Sequence, residues 1–317
     1  MKKLVIVSVP YKPFMSVIKD GCTLPNVEFL IIERKKHFVW KILFRIFLFL
    51  KCFRLALRCK ISNSNYRDFQ NYAKDPDVKF LFWSPFFLSW WYAMGRLVPK
   101  QEKAVFCWGP LNNAHHIEHL KSFIKLSQEI GIDFYTMNPF DAQNHQMIHT
   151  TQVYRNFCKP QNFPVESDFY FLGKTKGREK TLTQLQKKLE RKGFKLDFHL
   201  FEDVPVDPVP FEQNVLNAQK AKCIVDIVSP KYKQDGMTLR PLEALFLGKK
   251  LLTNYAPIKE CDFYHPDNIF VLDENNSLEG IEEFMAKPMH PIPKEIVEQY
   301  EVNHWLQKYF LKNDQPT

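Results

Sequence analysis

The stretch DGMTLRPLEALFLGKKLL, residues 235–252, sets Asp235, Arg240 and Glu243 among apolar neighbours. A helix beginning near Met237 places Glu243 in its second turn, facing inward beside Leu242 and Leu245. Pro241 then falls in the first turn, where its missing N–H costs nothing. An inward charge requires a partner; Arg240 or a lysine is one candidate, a ligand another. The strand-like run KCIVDIV (222–228) and the loop SPKYKQ lead up to this stretch, and the first backbone N–H groups of a helix have no partners inside it. The amides after Gly236 therefore suit the oxygens of a diphosphate, Arg240 suits its charge, and Glu243 suits the hydroxyls of a ribose.

A second segment is built the same way. FLGKTKGREK, residues 171–180, reads as a strand ending at Gly173, a loop carrying Lys174, Lys176 and Arg178, and then a helix. Open α/β sheets bind ligands beyond the carboxyl ends of their strands, where glycine, a helix N-terminus and basic side chains suit phosphate. Neither GxGxxG nor GxxxxGK[ST] occurs in the chain, so nicotinamide dehydrogenases and P-loop kinases lose their usual warrant. HHIEH, residues 115–119, contains the H-x-x-E-H order in which His115 and His119 could bind zinc with Glu118 as base. Capping by Asn112 or Asn113 puts these groups in an exposed first turn, and no later acidic ligand stands out. Ordinary surface histidines, or one lining a cleft near an acceptor, are expected instead, and no metal or cofactor is assigned. The aromatics of FLFWSPFFLSWWYAMGR, residues 80–96, are expected mostly in the core. Trp90, Trp91 and Tyr92 are adjacent and cannot all face inward from one helix, which leaves some to stack on a sugar or meet lipid.

These residues need a scaffold that gathers the ends of distant strands. Short apolar or β-rich runs at 4–9, 27–32, 78–83, 103–108 and 132–137 alternate with helical candidates, notably 86–97 and 114–130. Around 150–166 the pattern lapses into TTQVYRNFCKPQNFPVES, with two prolines and no clear period, which reads as a linker. A second alternation follows: strands at 168–173, 194–201, 222–228, 249–254 and 268–272, with helices at 178–192, 211–221 and 237–247. Strands alternating with helices imply parallel sheets wrapped by helices. The expected fold class is α/β, with two Rossmann-like βα domains, 1–160 and 161–317, facing a cleft.

The spacing of Asp235 and Glu243, a carboxylate, seven residues and a carboxylate, resembles the EGFGLxxLEAMAxGxPV signature of retaining glycosyltransferases of family 4 and related GT-B enzymes. The runs DFYFLGKTKGR, DIVSPKYKQDGMTLRPLEALFLGKKLLTN and FYHPDNIFVL also resemble bacterial glycosyltransferases that build lipopolysaccharide, lipooligosaccharide or capsule, over roughly residues 165–275. The resemblance implies that Glu243 binds the nucleotide ribose. It makes Gly236, Met237, Thr238 and Leu239 the diphosphate and sugar contact region, and Asp235 the carboxylate nearest the donor sugar. Gly173, Lys174, Lys176 and Arg178 take the place of the residues that clamp phosphates. Two departures stand out: Asp replaces the first Glu, one methylene shorter, and Thr238 stands where the broader family often has Gly.

Charge distribution adds a partner. The chain of 317 residues has a formal net charge of +9, and the excess lies at one end. Residues 1–67 hold fourteen Lys or Arg against three acids, and no acid occurs between Glu33 and Asp68. In RKKHFVWKILFRIFLFLKCFRLALRCK, 34–60, basic residues interrupt Trp, Phe, Leu and Ile. Its longest uninterrupted apolar run is far below the roughly 20 residues a membrane span needs. A helix lying on an anionic bilayer surface is the expectation, against an ordinary packed helix with solvated basic ends. Seven scattered cysteines without a Cys-x-x-Cys pair fit a reducing compartment, and Pro10, Tyr11 and Lys12 cut the first apolar run too short for a secretory signal. These readings combine into a cytoplasmic, membrane-surface glycosyltransferase, retaining and without a metal. Its donor is a nucleotide-sugar, expected to be a UDP-sugar, and its acceptor a lipid-linked or oligosaccharide glycan. A non-catalytic nucleotide-sugar-binding scaffold and a basic nucleic-acid-binding protein are the alternatives; the apolar richness of 38–57 fits lipid better than nucleic acid.

Overall fold

The structure, a computed structural model, describes residues 2–11, 13–83, 88–109, 111, 117–156, 163–202, 209–228 and 236–311, with 117–120 in backbone only. The chain divides into two compact units: Met1–Met15, Cys22–Thr151 and Leu306–Thr317 in the first, Ser16–Gly21 and Gln152–Trp305 in the second. The main boundary between these units lies between 151 and 152, with two short segments assigned across it. The expected linker begins as packed chain: Val153 and Tyr154 are buried, and Tyr154 N–H donates to Tyr300 O at 2.8 Å. Residues 157–162 of that segment lie outside the described residues.

The first unit holds a parallel sheet in the order β2-β1-β3-β4-β5-β6. Its strands are β1 (Lys3–Ser8), β2 (Val27–Ile31), β3 (Val78–Trp83), β4 (Lys103–Cys107), β5 (Ile132–Thr136) and the two-residue β6 (Ile148–His149). Central strands covered on both faces require continuous apolar runs, and Leu4–Val7 and Phe80–Trp83 are wholly buried. Around them run α1 (Phe38–Phe49), α2 (Phe53–Lys60), α3 (Asn63–Tyr72), α4 (Leu88–Leu97), α5 (Ile117–Gln128) and α6 (Pro139–His145). The basic, aromatic segment 34–60 is therefore two helices, broken at 50–52, where Lys51 takes a left-handed φ of 57°. Trp83, Trp90 and Trp91 are core, as expected. Half-buried Tyr92 meets Phe53 and Phe123 edge-on.

The second unit holds a parallel sheet in the order β11-β10-β9-β7-β8. It comprises β7 (Ser167–Lys174), β8 (Leu196–Phe201), β9 (Ala221–Asp226), β10 (Lys250–Thr253) and β11 (Ile269–Val271). The helices are α7 (Glu179–Arg191), α8 (Phe211–Gln219), α9 (Arg240–Leu247), α10 (Ile281–Ala286), α11 (Lys294–Glu298) and α12 (Val302–Leu306). Alternation assigns the faces. Phe169, Phe171, Cys223, Val225 and Leu252 pack with Leu182, Leu185 and Leu189 of α7 and with Ile281 and Phe284 of α10. The i, i+3, i+7 leucines of α7 each contribute about 1.5–3 kcal/mol on burial, and Leu185→Ala would cost about 2–5 kcal/mol. Tyr170, Ile224, Asp226 and Thr253 alternate with those core residues and point to the other face, where α8 and α9 pack. β7 neighbours both β8 and β9, so the direction of winding reverses between β7 and β9. Ligands of open α/β sheets bind at such a switch point, beyond the carboxyl ends of the strands.

Candidate functional site

At the carboxyl end of β7, Arg178 N–H bonds Thr175 O at 2.9 Å across Lys176 (φ 45°) and Gly177 (φ 79°). This tight turn reverses the chain directly into α7, with Arg178 at the N-cap. Arg178 is 6% exposed. Its Nη1 donates to Ile227 O just beyond β9, and its Nη2 to Lys174 O at 3.2 Å, so one guanidinium ties the two strand ends together. Burial, with the charge of Arg240 second, pulls its pKa down to about 10.

Arg240 opens α9, whose start lies three residues later than the sequence suggests. Thr238 Oγ1 accepts Arg240 N–H at 3.3 Å and Gln152 Nε2 donates to Met237 O at 2.8 Å, so Met237 and Thr238 are held ahead of the helix and not within it. Leu239 is the N-cap, Pro241 sits in the first turn, and Glu243 falls in the first turn instead of the second. The Arg240 guanidinium is also occupied: Nη2 donates to Leu172 O at 2.8 Å and Nη1 lies 3.6 Å from Asp226 Oδ1. Both guanidinium carbons stand over the Phe171 ring, Arg178 at 5.3 Å and Arg240 at 4.9 Å from its centroid. Gly173 admits this arrangement, since a Cβ there would meet Arg240 Nη2 at 2.7 Å and Arg178 Nη2 at 3.6 Å.

Glu243 is buried at 5% exposure and makes no ion pair with a lysine or arginine among the described residues. Asn214 Nδ2, from α8, donates to its Oε1 at 3.0 Å, and Tyr170 OH, from β7, donates to Asn214 Oδ1 at 3.0 Å. No hydrogen bond within the described residues engages Glu243 Oε2. Burial pushes the Glu243 pKa up to about 7; Arg240 opposes that shift and Asp226 adds to it. Burial, followed by the Glu243 charge, raises the pKa of Tyr170. Asp226 is fully buried, its Oδ2 accepting from Thr253 Oγ1 at 3.5 Å while Oδ1 has no hydrogen-bond partner.

The structure thus brings Gly173, Lys174, Arg178, Arg240 and Glu243 to the ends of β7 and β9, with Lys176 in the turn between β7 and α7 and Gly236, Met237, Thr238 and Leu239 leading into α9. Asp235 lies outside the described residues, as do His115 and the two asparagines expected to cap the helix that follows. Sequence reasoning missed Tyr170, Phe171, Asn214 and Asp226. Asp226 left one signal, an acid inside the otherwise apolar run KCIVDIV. An apolar hollow of about 300 Å³ lies on the Pro241, Ala244 and Leu245 side of α9. Its lining contains no carboxylate. Among the described residues, no group of three or more His, Cys, Asp or Glu is placed to hold a metal ion.

Two parallel sheets, each wrapped by helices, make the α/β fold of the GT-B type. Two solved structures share it end to end. OtsA in its apo form matches over 99% of this chain and 100% of its own, with a TM-score of 0.57 at 10% identity. The apo form of WaaB, a lipopolysaccharide outer core galactosyltransferase, matches over 98% and 99%, with a TM-score of 0.54 at 12% identity. No family model matches the sequence. No curated protein matches it either.

Proposed function

We propose that this protein is a glycosyltransferase that moves a sugar from a nucleotide-sugar, a UDP-sugar, to a growing lipid-linked or cell-surface glycan such as a lipooligosaccharide, O-antigen or capsule. The observation that carries the reading is Glu243. A nearly buried carboxylate, held through one oxygen by a neutral amide and with no bond from a described residue to the other, suits a pair of ligand hydroxyls. What supports the reading further is the carboxylate's place beside the switch point of the second sheet, since open α/β sheets as a class bind ligands at such points.

Around it the charges divide by role. Arg178 and Arg240 hold strand ends and keep positive potential there, and the diphosphate is assigned to that potential together with Lys174, Lys176 and the amides from Gly236 to Leu239. Preorganised cations and amides of this kind stabilise charge as it develops on a leaving diphosphate. Asp235 is assigned to the donor sugar, steadying positive character at its anomeric carbon. A retaining outcome requires no separate general base. In this reading the second unit takes the donor and the first takes the acceptor.

The first unit also supports docking at a membrane surface from the cytoplasmic side. On α1 the side chains of Phe38, Ile42, Ile46 and Phe49 form one stripe at 69%, 42%, 46% and 85% exposure, and Lys41 and Arg45 flank it. Exposed apolar groups beside cations suit the interface of an anionic bilayer. No helix among the described residues is long and apolar enough to cross a membrane.

The test is transfer itself. Purified protein is incubated with a panel of nucleotide-sugars and a membrane extract as acceptor source, and release of nucleoside diphosphate and the anomeric configuration of the product are followed. Release from a UDP-sugar that falls by at least about 100-fold in Glu243→Ala supports the reading; undiminished transfer removes Glu243 from the mechanism.

A further inference from the structure

The Glu243 carboxylate is not oriented by its own helix. Its one hydrogen bond from the described residues comes from α8, 29 residues earlier in sequence, and the donor of that bond is fixed in turn by a third element, β7. The direction of each bond follows from chemistry. Asn214 presents one accepting oxygen and one donating nitrogen, and the two are distinguished by their partners. Tyr170 OH, donating to Oδ1, leaves Nδ2 pointing at Glu243; were the amide turned over, its NH₂ would lie against the phenol and its oxygen against a carboxylate. Tyr170 is itself buried at the middle of β7, so the orientation is set from inside the sheet.

We propose that Asn214, its amide locked by Tyr170, is a positioning residue for ligand recognition by Glu243: it occupies Oε1, fixes the carboxylate plane, and reserves Oε2 for a hydroxyl of the bound ribose. This rests on the reading of Glu243 given above and adds to it two residues that touch no ligand. Among the described residues, the charged groups that act on Glu243 enter the balance. Arg240 on the same helix favours the ionised form, and Asp226 on β9 opposes it. Tyr170 on β7 acts through the amide, and Arg178 is linked through its own interaction with Arg240. A hydrogen bond donated to a carboxylate stabilises the ionised state, so loss of the Asn214 amide makes Glu243 harder to ionise. The effect on binding is then strongest near neutral pH and fades in alkali.

The experiment measures binding of UDP, with GDP and ADP alongside, by titration calorimetry between pH 5.5 and 8.5. Four proteins are compared with the wild type: Asn214→Ala, Asn214→Asp, Tyr170→Phe and Glu243→Ala. The proposal expects Asn214→Ala to bind about 5–10-fold more weakly at pH 7, with the pH midpoint of binding moved upward and much of the affinity regained at pH 8.5. Tyr170→Phe moves the midpoint the same way by less, and Asn214→Asp, which sets a second carboxylate against the first, moves it furthest. Unchanged affinity and midpoint in both Asn214→Ala and Tyr170→Phe, with Glu243→Ala impaired, overturns the positioning role alone. If Glu243→Ala also binds like the wild type, the reading of Glu243 falls and the positioning role with it. Circular dichroism identifies a variant that fails to fold. Should Asn214→Ala do so, Tyr170→Phe, which removes one oxygen and little volume, still decides the matter.

Discussion

At the scale of residues, the site stores an unfavourable charge. Glu243 is pushed up to about 7 mainly by burial, so the folded state prefers it protonated. The sign follows: a carboxyl raised on folding contributes stability fully present below its unfolded value near 4.5, and that contribution is lost as pH rises through about 7. Glu243→Gln keeps the shape and the Asn214 bond without the charge. It should therefore be more stable than the wild type at pH 8, by about 1–3 kcal/mol, and nearly equal to it at pH 4, while binding nucleotide less well. Urea denaturation at the two pH values reads this directly, and a variant less stable than the wild type at pH 8 would count against it. Gly173 makes the complementary prediction. The atom a Cβ would strike is the end of a flexible side chain, but Arg240 is anchored to Leu172 O and Asp226. Gly173→Ala should cost only about 1–2 kcal/mol of stability and weaken nucleotide binding by more than that loss explains. Calorimetry showing wild-type affinity in a destabilised Gly173→Ala would mean that the Arg240 position is irrelevant to the ligand. The sequence showed Glu243 and Pro241 because both lie on one helix with a local period. It could not show Asn214 or Tyr170, 44 residues apart, which meet only because the sheet order sets β7 beside β9.

At the scale of elements, the strands were the most legible part. A parallel strand covered on both faces must be a continuous apolar run, and LVIVSV, VKFLFW and KAVFCW can be little else. The elements that escaped notice draw their stability from elsewhere. α3, NSNYRDFQNY, has weak helix formers, and what fixes it is tertiary. Ser62 Oγ accepts Asn65 N–H at 3.2 Å, Asn65 bonds Ile31 O and Glu33 N–H beside β2, and Tyr66 and Phe69 are buried. The break between α1 and α2 depends on the left-handed backbone at Lys51, for which an ordinary lysine gives no warning. α1 itself carries the third prediction. Its exposed stripe contributes little to folding, so replacing Phe38, Ile42, Ile46 and Phe49 together with Ser should shift Tm by no more than about 3 °C. Co-sedimentation with vesicles containing phosphatidylglycerol should be abolished, and the wild type should be released from them by salt. Equal sedimentation of the two proteins, or of wild type with neutral and anionic vesicles alike, would remove the membrane from the account.

At the scale of the whole molecule, two parallel sheets, one in each unit, fit the proposal that donor and acceptor are taken by different units. The alternation of strand and helix made that architecture readable from end to end. What alternation does not reveal is the exchange of Ser16–Gly21 and Leu306–Thr317 between the units, because no periodic signal marks which unit a short segment joins. Assignment of the donor to the second unit is the claim on which the remainder depends, and thermal unfolding with ligand tests it most directly. A ligand that binds only the folded state stabilises it by about 2.7 kcal/mol at 100 times its Kd, or roughly 5–10 °C for a unit of this size. Wild-type protein and Glu243→Ala are heated with and without UDP at pH 8. A rise of that order in the wild type, absent in Glu243→Ala, is the predicted result; no rise in the wild type with UDP, GDP or ADP, or an equal rise in both proteins, would contradict it.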